Sequence, residues 1–242
     1  MGGAMQTLML FVDGLGLGGP DPAFNPLAGG ACPALARLLA EHASPVDARL
    51  GVPGLPQSAT GQTALLTGVN AASLAGRHIE GFPGPRLREV VRERNLLSEL
   101  RRRGYAPAFA NAYYLDPVTA RLIRRKASVT TVATMAALGG FRGPDRMLAG
   151  EAVYHDLTRE ALRPRGYDGP LCTPEESARD LAGIWAAHDF TLFEFFLTDR
   201  AGHRRDPAYA AAVLGLYDRF LAVLLEAQRA APGRLLALIS DH

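Results

Sequence analysis

Three apolar runs in this chain finish on residues that bind metals or move protons. "LFVDG" carries Asp13, "FFLTDRAGH" carries Asp199 with His203 four residues on, and "LISDH" carries Asp241 and His242. Each run reads as a buried strand, and in open α/β sheets ligands bind beyond the carboxyl ends of the strands. If the strands are parallel, three carboxylates and two imidazoles meet at one edge. They would desolvate and repel one another unless positive charge offsets them. Divalent cations supply that charge. The mixed oxygen and nitrogen donors suit Zn, Mn or Mg, and their number predicts two ions rather than one. Taken singly, an Asp after a strand is an ordinary turn former. Three such ends in one chain predict a metal centre.

Ser58, in "QSATGQTALLTG", stands where a loop runs into a helix-compatible stretch. A Ser there is commonly a helix cap. As a nucleophile it needs its hydroxyl activated by a base or a metal. No histidine is near it in sequence and G-x-S-x-G is absent, so a serine-hydrolase triad has little support. Metal activation fits better, and backbone N–H groups of the following turn would favour a phosphoryl group. Gln62 and Asn111 are candidate polar contacts near this nucleophile. Arg204 and Arg205, beside His203, are candidates for a substrate phosphate or carboxylate. The run Arg121, Arg124, Arg125 and Lys126 reads as a solvated helix face. Gly14, Gly16 and Gly19 match the dinucleotide fingerprint, but "PDPAFNP" follows where that motif needs a helix to open.

The elements that must position these groups alternate between strand and helix. "TLMLFVD", "APAFANAY", "DFTLFEFFLTD" and "RLLALISDH" read as strands. "PALARLLAEH", "LREVVRERNLLSELRRRG", "TPEESARDLAGIWAAH" and "PAYAAAVLGLYDRFLAVLLEAQRA" read as helices, the third opening on a capping box at Thr173 and Glu176. Alternation predicts an α/β fold with a mainly parallel sheet. A chain of 242 residues suits one domain over 1–242, with a small insertion or cap in the less regular stretch 115–170. Apolar residues at 48% and charged residues at 21% are an ordinary globular mixture, and a net charge of +2 predicts no nucleic-acid partner. The amino end has no Lys or Arg and no long apolar run, so neither a signal peptide nor a membrane partner is expected. Two cysteines without paired spacing suit a reducing interior, and a cytoplasmic location follows as the expectation.

The order Asp13, Ser58 in "QSATGQTALLTG", Asp199-x-x-x-His203 and Asp241-His242 resembles the alkaline phosphatase superfamily. The nearest branch is that of the cofactor-independent phosphoglycerate mutases and phosphopentomutases. The resemblance spans most of the chain, with "TDRAGH" and "SDH" its most specific parts. It implies a three-layer α/β sandwich and two divalent ions. One ion would be held by Asp13, Ser58, Asp241 and His242; the other would be held by Asp199 and His203. The second ion takes a further, later histidine in the family, and none of His42, His78, His155 and His188 matches it. The expectation is therefore a chain that continues past His242, the alternative being an inactive metal- or phosphate-binding domain. The implied activity is phosphoryl transfer on a small-molecule phosphate ester through a phosphoserine at Ser58. The insertion is small beside the caps of the mutases, so hydrolysis is favoured over phosphomutase chemistry.

Overall fold

The computed structural model describes residues 5–22, 24–115, 120, 121, 123 and 125–242. Arg124 of the basic run and residues 116–119 and 122 of the 115–170 stretch lie outside the described residues. Among the described residues the sheet has four strands: β1 (Gln6–Val12), β2 (Pro107–Phe109), β3 (Phe190–Phe195) and β4 (Arg234–Ile239). They run in the spatial order β2-β3-β1-β4, and every pair is parallel. The fold is α/β, as alternation predicts.

Helices cover both faces, because side chains alternate along each strand. Leu8, Leu10 and Val12 of β1, with Phe193 and Phe195 of β3, point to one side. There they meet α1 (Pro33–His42), the helix Pro174–Ala186 and the long helix Pro207–Arg229, which supply Leu35, Leu181, Trp185, Tyr217, Phe220 and Leu224. Phe11 of β1 and Phe190 and Leu192 of β3 point to the other side. That side is closed by α2 (Ser58–Thr67), α4 (Pro85–Glu93), α5 (Leu96–Arg102) and α6 (Val129–Leu138), after the short α3 (Ala71–Ala75). The chain then continues through α7 (Pro144–Leu148), α8 (Pro174–Ala186), α9 (Leu197–Arg204) and α10 (Pro207–Arg229).

The stretch 115–170 divides between two neighbourhoods. Helix α6 packs into the sheet's second face, while Met147, Ala152, Tyr154, Leu162 and Tyr167 form a small cluster of their own with Ala112. The run 87–104, expected as one helix, is two. Asn95 takes an extended conformation and its side chain accepts from Ser98 N, opening α5 as an N-cap. Strand β2 is shorter than "APAFANAY", because Asn111 and Ala112 leave the ladder for isolated bridges with Val153 and Arg142. The capping box at Thr173 and Glu176 is present.

Helix α10 is long and apolar enough to span a bilayer by length and composition. Its apolar face is that of a core helix: Val213, Leu214, Tyr217, Phe220 and Leu221 are buried against the sheet. Its Asp218 accepts from the amides of Ala34 and Leu35, at 3.3 and 2.8 Å. This satisfies the start of α1, where Cys32 makes no side-chain cap bond.

Candidate metal centre

Strands β1, β3 and β4 deliver their next residues to the same edge. The chain leaves β1 through Gly14, at φ +69, and the turn brings it against α9: a Cβ at Gly14 would lie 2.8 Å from Asp199 Cα. A Cβ at Gly61 in α2 would lie 2.7 Å from Asp241 Cβ. These two glycines let the turn after β1 and the first turns of α2 close on the acidic groups. Asp241 is fixed from the backbone, with Gly14 N donating to Oδ1 at 3.2 Å. Ser240 Oγ accepts from Leu15 N at 3.0 Å and donates to His242 O at 2.9 Å.

Five of the expected residues converge here. Ser58 Oγ donates to Asp13 Oδ1 at 3.2 Å and lies 3.3 Å from His242 Nε2. His242 Nε2 is 3.4 Å from Asp13 Oδ1, 3.8 Å from Asp199 Oδ1 and 3.9 Å from Asp241 Oδ1. Ligand atoms of Asp13, Asp199 and His242 all fall within 4.8 Å of one another. Gln62 joins as a second neighbour of Asp13, its Nε2 donating to Oδ2 at 3.2 Å.

The other expected residues sit differently. Asp199 does not end a strand: β3 stops at Phe195, and Asp199 lies in the first turn of α9, whose Thr198 Oγ1 donates to Asp13 O at 2.5 Å. His203, one helical turn on, is 3.5 Å from Asp199 Oδ1, yet its side chain is 65% exposed and it stands outside the Asp13–Asp199–His242 cluster. Asn111 lines the cavity, but both ends of its carboxamide are taken by the backbone of Glu194, so it continues the β2–β3 pairing where β2 has ended. Arg204 and Arg205 do not line the cavity. The guanidinium of Arg204 lies 4.2 Å from the Tyr209 ring centroid, and exposed Arg205 ends α9 in the left-handed region. The expected anion cradle after Ser58 is also reduced, because Ala59 N donates to Ile79 O.

Ser58 is not a cap. Gln57 holds the N-cap position without a side-chain cap bond, and Ser58 begins the helix with its hydroxyl turned to side chains. It opens on a cavity of about 490 Å³ that also reaches Asp13, Asp199, His203, Gln62 and Glu194. Three cations line that cavity: Lys126, Arg165 and Arg200. The latter two were missed from sequence. Placing 197–204 on a helix would have found Arg200, since it neighbours Asp199 and lies near His203 on the wheel.

The electrostatics are those of crowded acids. Burial raises the Asp241 carboxyl well above the carboxylate range, Asp13 adding to the effect, and the same two causes raise Asp199. Glu194 on β3 is pushed up to about 8, chiefly by burial, although Thr130 Oγ1 donates to it at 2.6 Å. His242 is raised, first by its hydrogen bond to Asp13. Asp241 Oδ2 is buried with no hydrogen-bond partner. Oxygen and imidazole donors this close, one buried oxygen orphaned and several carboxyls driven upward, fit a divalent cation of the Mg, Mn or Zn type.

These shifts predict a pH dependence for metal-free protein. Glu194, with its folded pKa raised from 4.5 to about 8, contributes stability that is lost as pH rises through that interval. Raised His242 contributes stability that is present below 6.5 and lost as pH rises through its folded value. His155, lowered by burial to about 4, works in the opposite direction, but only below 6.5. From about pH 6.5 to 8 the thermal midpoint of chelator-treated protein is therefore expected to fall, and saturating divalent cation to flatten that fall. A rising midpoint over this window, measured by calorimetry, would contradict this account of the cluster.

No protein-family model and no curated protein matches the chain.

Proposed function

We propose that this chain is a metal-dependent phosphoryl-transfer enzyme with an alkaline phosphatase-like sandwich, hydrolysing a phosphate ester through a phosphoserine at Ser58. One observation carries the reading. A single buried hydroxyl, Ser58 Oγ, lies 3.2 Å from Asp13 Oδ1 and 3.3 Å from His242 Nε2 at the acidic end of a cavity large enough for a substrate. A structural serine at a helix start ordinarily bonds backbone amides; this one bonds ligand-type side chains.

Asp13, Asp199 and His242 would hold one divalent ion, with Asp241 and its orphaned Oδ2 beside them, and His203 next to Asp199 is available to a second. Bound there, such ions supply positive charge that lowers the pKa of a nearby hydroxyl and neutralises charge developing on phosphoryl oxygens. The protein's own residues do the rest. Asp13 orients the Ser58 hydroxyl, and Gln62 fixes the other oxygen of Asp13. Ser58 Oγ, its proton released to solvent water, forms its bond to phosphorus as the bond to the leaving oxygen breaks, and the departing alkoxide takes up a proton from water. Water then attacks the phosphoserine, restoring the hydroxyl and releasing inorganic phosphate. Lys126 and Arg200, on the cavity wall, attract the anionic ester into this end. A cytoplasmic location belongs to the same proposal, with Cys32 and Cys172 both free thiols.

The test is a panel of phosphate monoesters, diesters and mutase substrates assayed with Mn, Zn and Mg. The expected result is metal-dependent phosphate release from monoesters. Isomerised substrate without release would replace hydrolysis by phosphomutase chemistry. No turnover with any ester and metal would remove the reading.

A further inference from the structure

We propose that the group esterified to the phosphate is a planar aromatic ring system, seated against the aromatic residues that line the cavity. This rests on the phosphoryl-transfer reading and names its substrate class. Three of the chain's ten phenylalanines and three of its seven tyrosines line this one cavity. Tyr154, His155 and Phe196 form a column with successive ring centroids 4.3 Å apart, and the Arg200 guanidinium lies 4.8 Å from the Phe196 centroid. At the rim, Phe82 is 47% exposed, and Lys126 Nζ stands 6.0 Å from its ring centroid. The exposed Phe82 ring with Lys126 beside it offers a face and a cation to an electron-rich ring entering the cavity.

The polar atoms of the wall strengthen the inference, because most are already satisfied within the protein. Tyr113 Oη is bonded to Thr131 Oγ1 at 2.7 Å, and Ser128 Oγ to Thr130 and Thr131. Tyr154 Oη accepts from Arg165 Nη1 at 3.1 Å, and the Asn111 carboxamide is held at both ends by Glu194. A hydroxyl-rich leaving group such as a bare sugar would be stripped of water here and find few partners. A ring loses little water and gains stacking. Two orphaned buried atoms on the lining, His155 Nδ1 and Gln62 Oε1, suit a ring that carries a polar edge. The volume of about 490 Å³ is in the range that seats a group of nucleoside size.

Two substrate pairs isolate the ring from the chemistry. Adenosine 5′-monophosphate and ribose 5-phosphate leave through the same primary alcohol; benzyl and cyclohexylmethyl phosphate differ mainly in planarity. With Mn present, kcat/KM is expected to favour the aromatic member of at least one pair by about tenfold or more. Phe82→Ala should bring that ratio toward one, mainly through KM. Calorimetric binding of adenosine 5′-monophosphate and ribose 5-phosphate to Ser58→Ala protein, again with Mn, measures the preference without turnover. Turnover of both members with ratios near one, and equal binding, overturns the ring site and leaves phosphoryl transfer standing. Preferential binding of the adenine compound with no turnover of any ester by wild type leaves the ring site standing and overturns the phosphoryl-transfer reading. Neither binding nor turnover overturns both.

Discussion

Replacing Ser58 by alanine is expected to lower phosphate-ester turnover by at least about a thousandfold while leaving the fold and metal binding in place. The change removes the one hydroxyl that stands between Asp13 and His242, at 3.2 and 3.3 Å, and no other serine or threonine hydroxyl is hydrogen-bonded to Asp13's carboxylate among the described residues. Asp13, Asp199 and His242 keep their donors, so metal-induced stabilisation should persist. Ser58 caps no backbone amide, so the usual cost of about 1 kcal/mol for a lost cap should be largely absent. Ser58→Thr keeps a hydroxyl and should retain part of the rate. Turnover and thermal midpoint measured on the same variants decide the matter. Near-normal turnover in Ser58→Ala would end the phosphoserine mechanism, whereas a large fall in midpoint with a proportionate fall in rate would make Ser58 a structural residue.

Asp13→Asn should weaken metal binding strongly while stabilising the metal-free protein. Asp13 is 7% exposed and accepts from Ser58 and Gln62, and its charge contributes to the upward shifts of Glu194, Asp199 and Asp241. The amide keeps the shape and removes the charge. Without cation, relief of repulsion among buried acids should stabilise the fold by about 1 kcal/mol. With cation, the cluster has lost a charged ligand, and affinity should fall by about a hundredfold or more. Calorimetry with and without Mn separates the two effects. If Asp13 serves only to hold Ser58 and Gln62 by hydrogen bonds, the metal-free variant should instead be less stable, and Mn should stabilise it as it does wild type.

Helix-by-helix agreement between pattern and structure is closest where the local signal is self-sufficient. Thr173 and Glu176 cap α8 with their own side chains, and the apolar runs at 6–12, 190–195 and 234–239 are strands. The break at Asn95 was hidden because the apolar stripe continues across it, while the cap bond to Ser98 decides the local backbone. Strand β4 is a different kind of surprise. Its continuous apolar sequence is that of a strand covered on both faces, yet it lies at the sheet edge and only partly buried, with Leu235 43% exposed. Apolar character records that a strand prefers burial; its neighbours record where it lies in the sheet.

The sequence alone determined that Asp13, Asp241 and His242 would meet. Each follows an apolar run that reads as a strand, alternation with helices predicts a parallel sheet, and parallel strands joined by helical crossovers bring their carboxyl ends to one edge. Tertiary structure decided which atoms there come within reach of one another. Asp199 enters from the first turn of α9 rather than from a strand end, which turns His203 toward solvent and brings Arg200 to the cavity in place of Arg204 and Arg205. Aromatic lining of the cavity comes from Phe82 and from Tyr154 and His155, on segments with no strand-end signature. Spacing along the chain sets the position of a residue within its own element. Contact between elements depends on how their faces pack, and packing is settled only when the glycines at 14 and 61 let the turn after β1 and helix α2 close on Asp199 and Asp241.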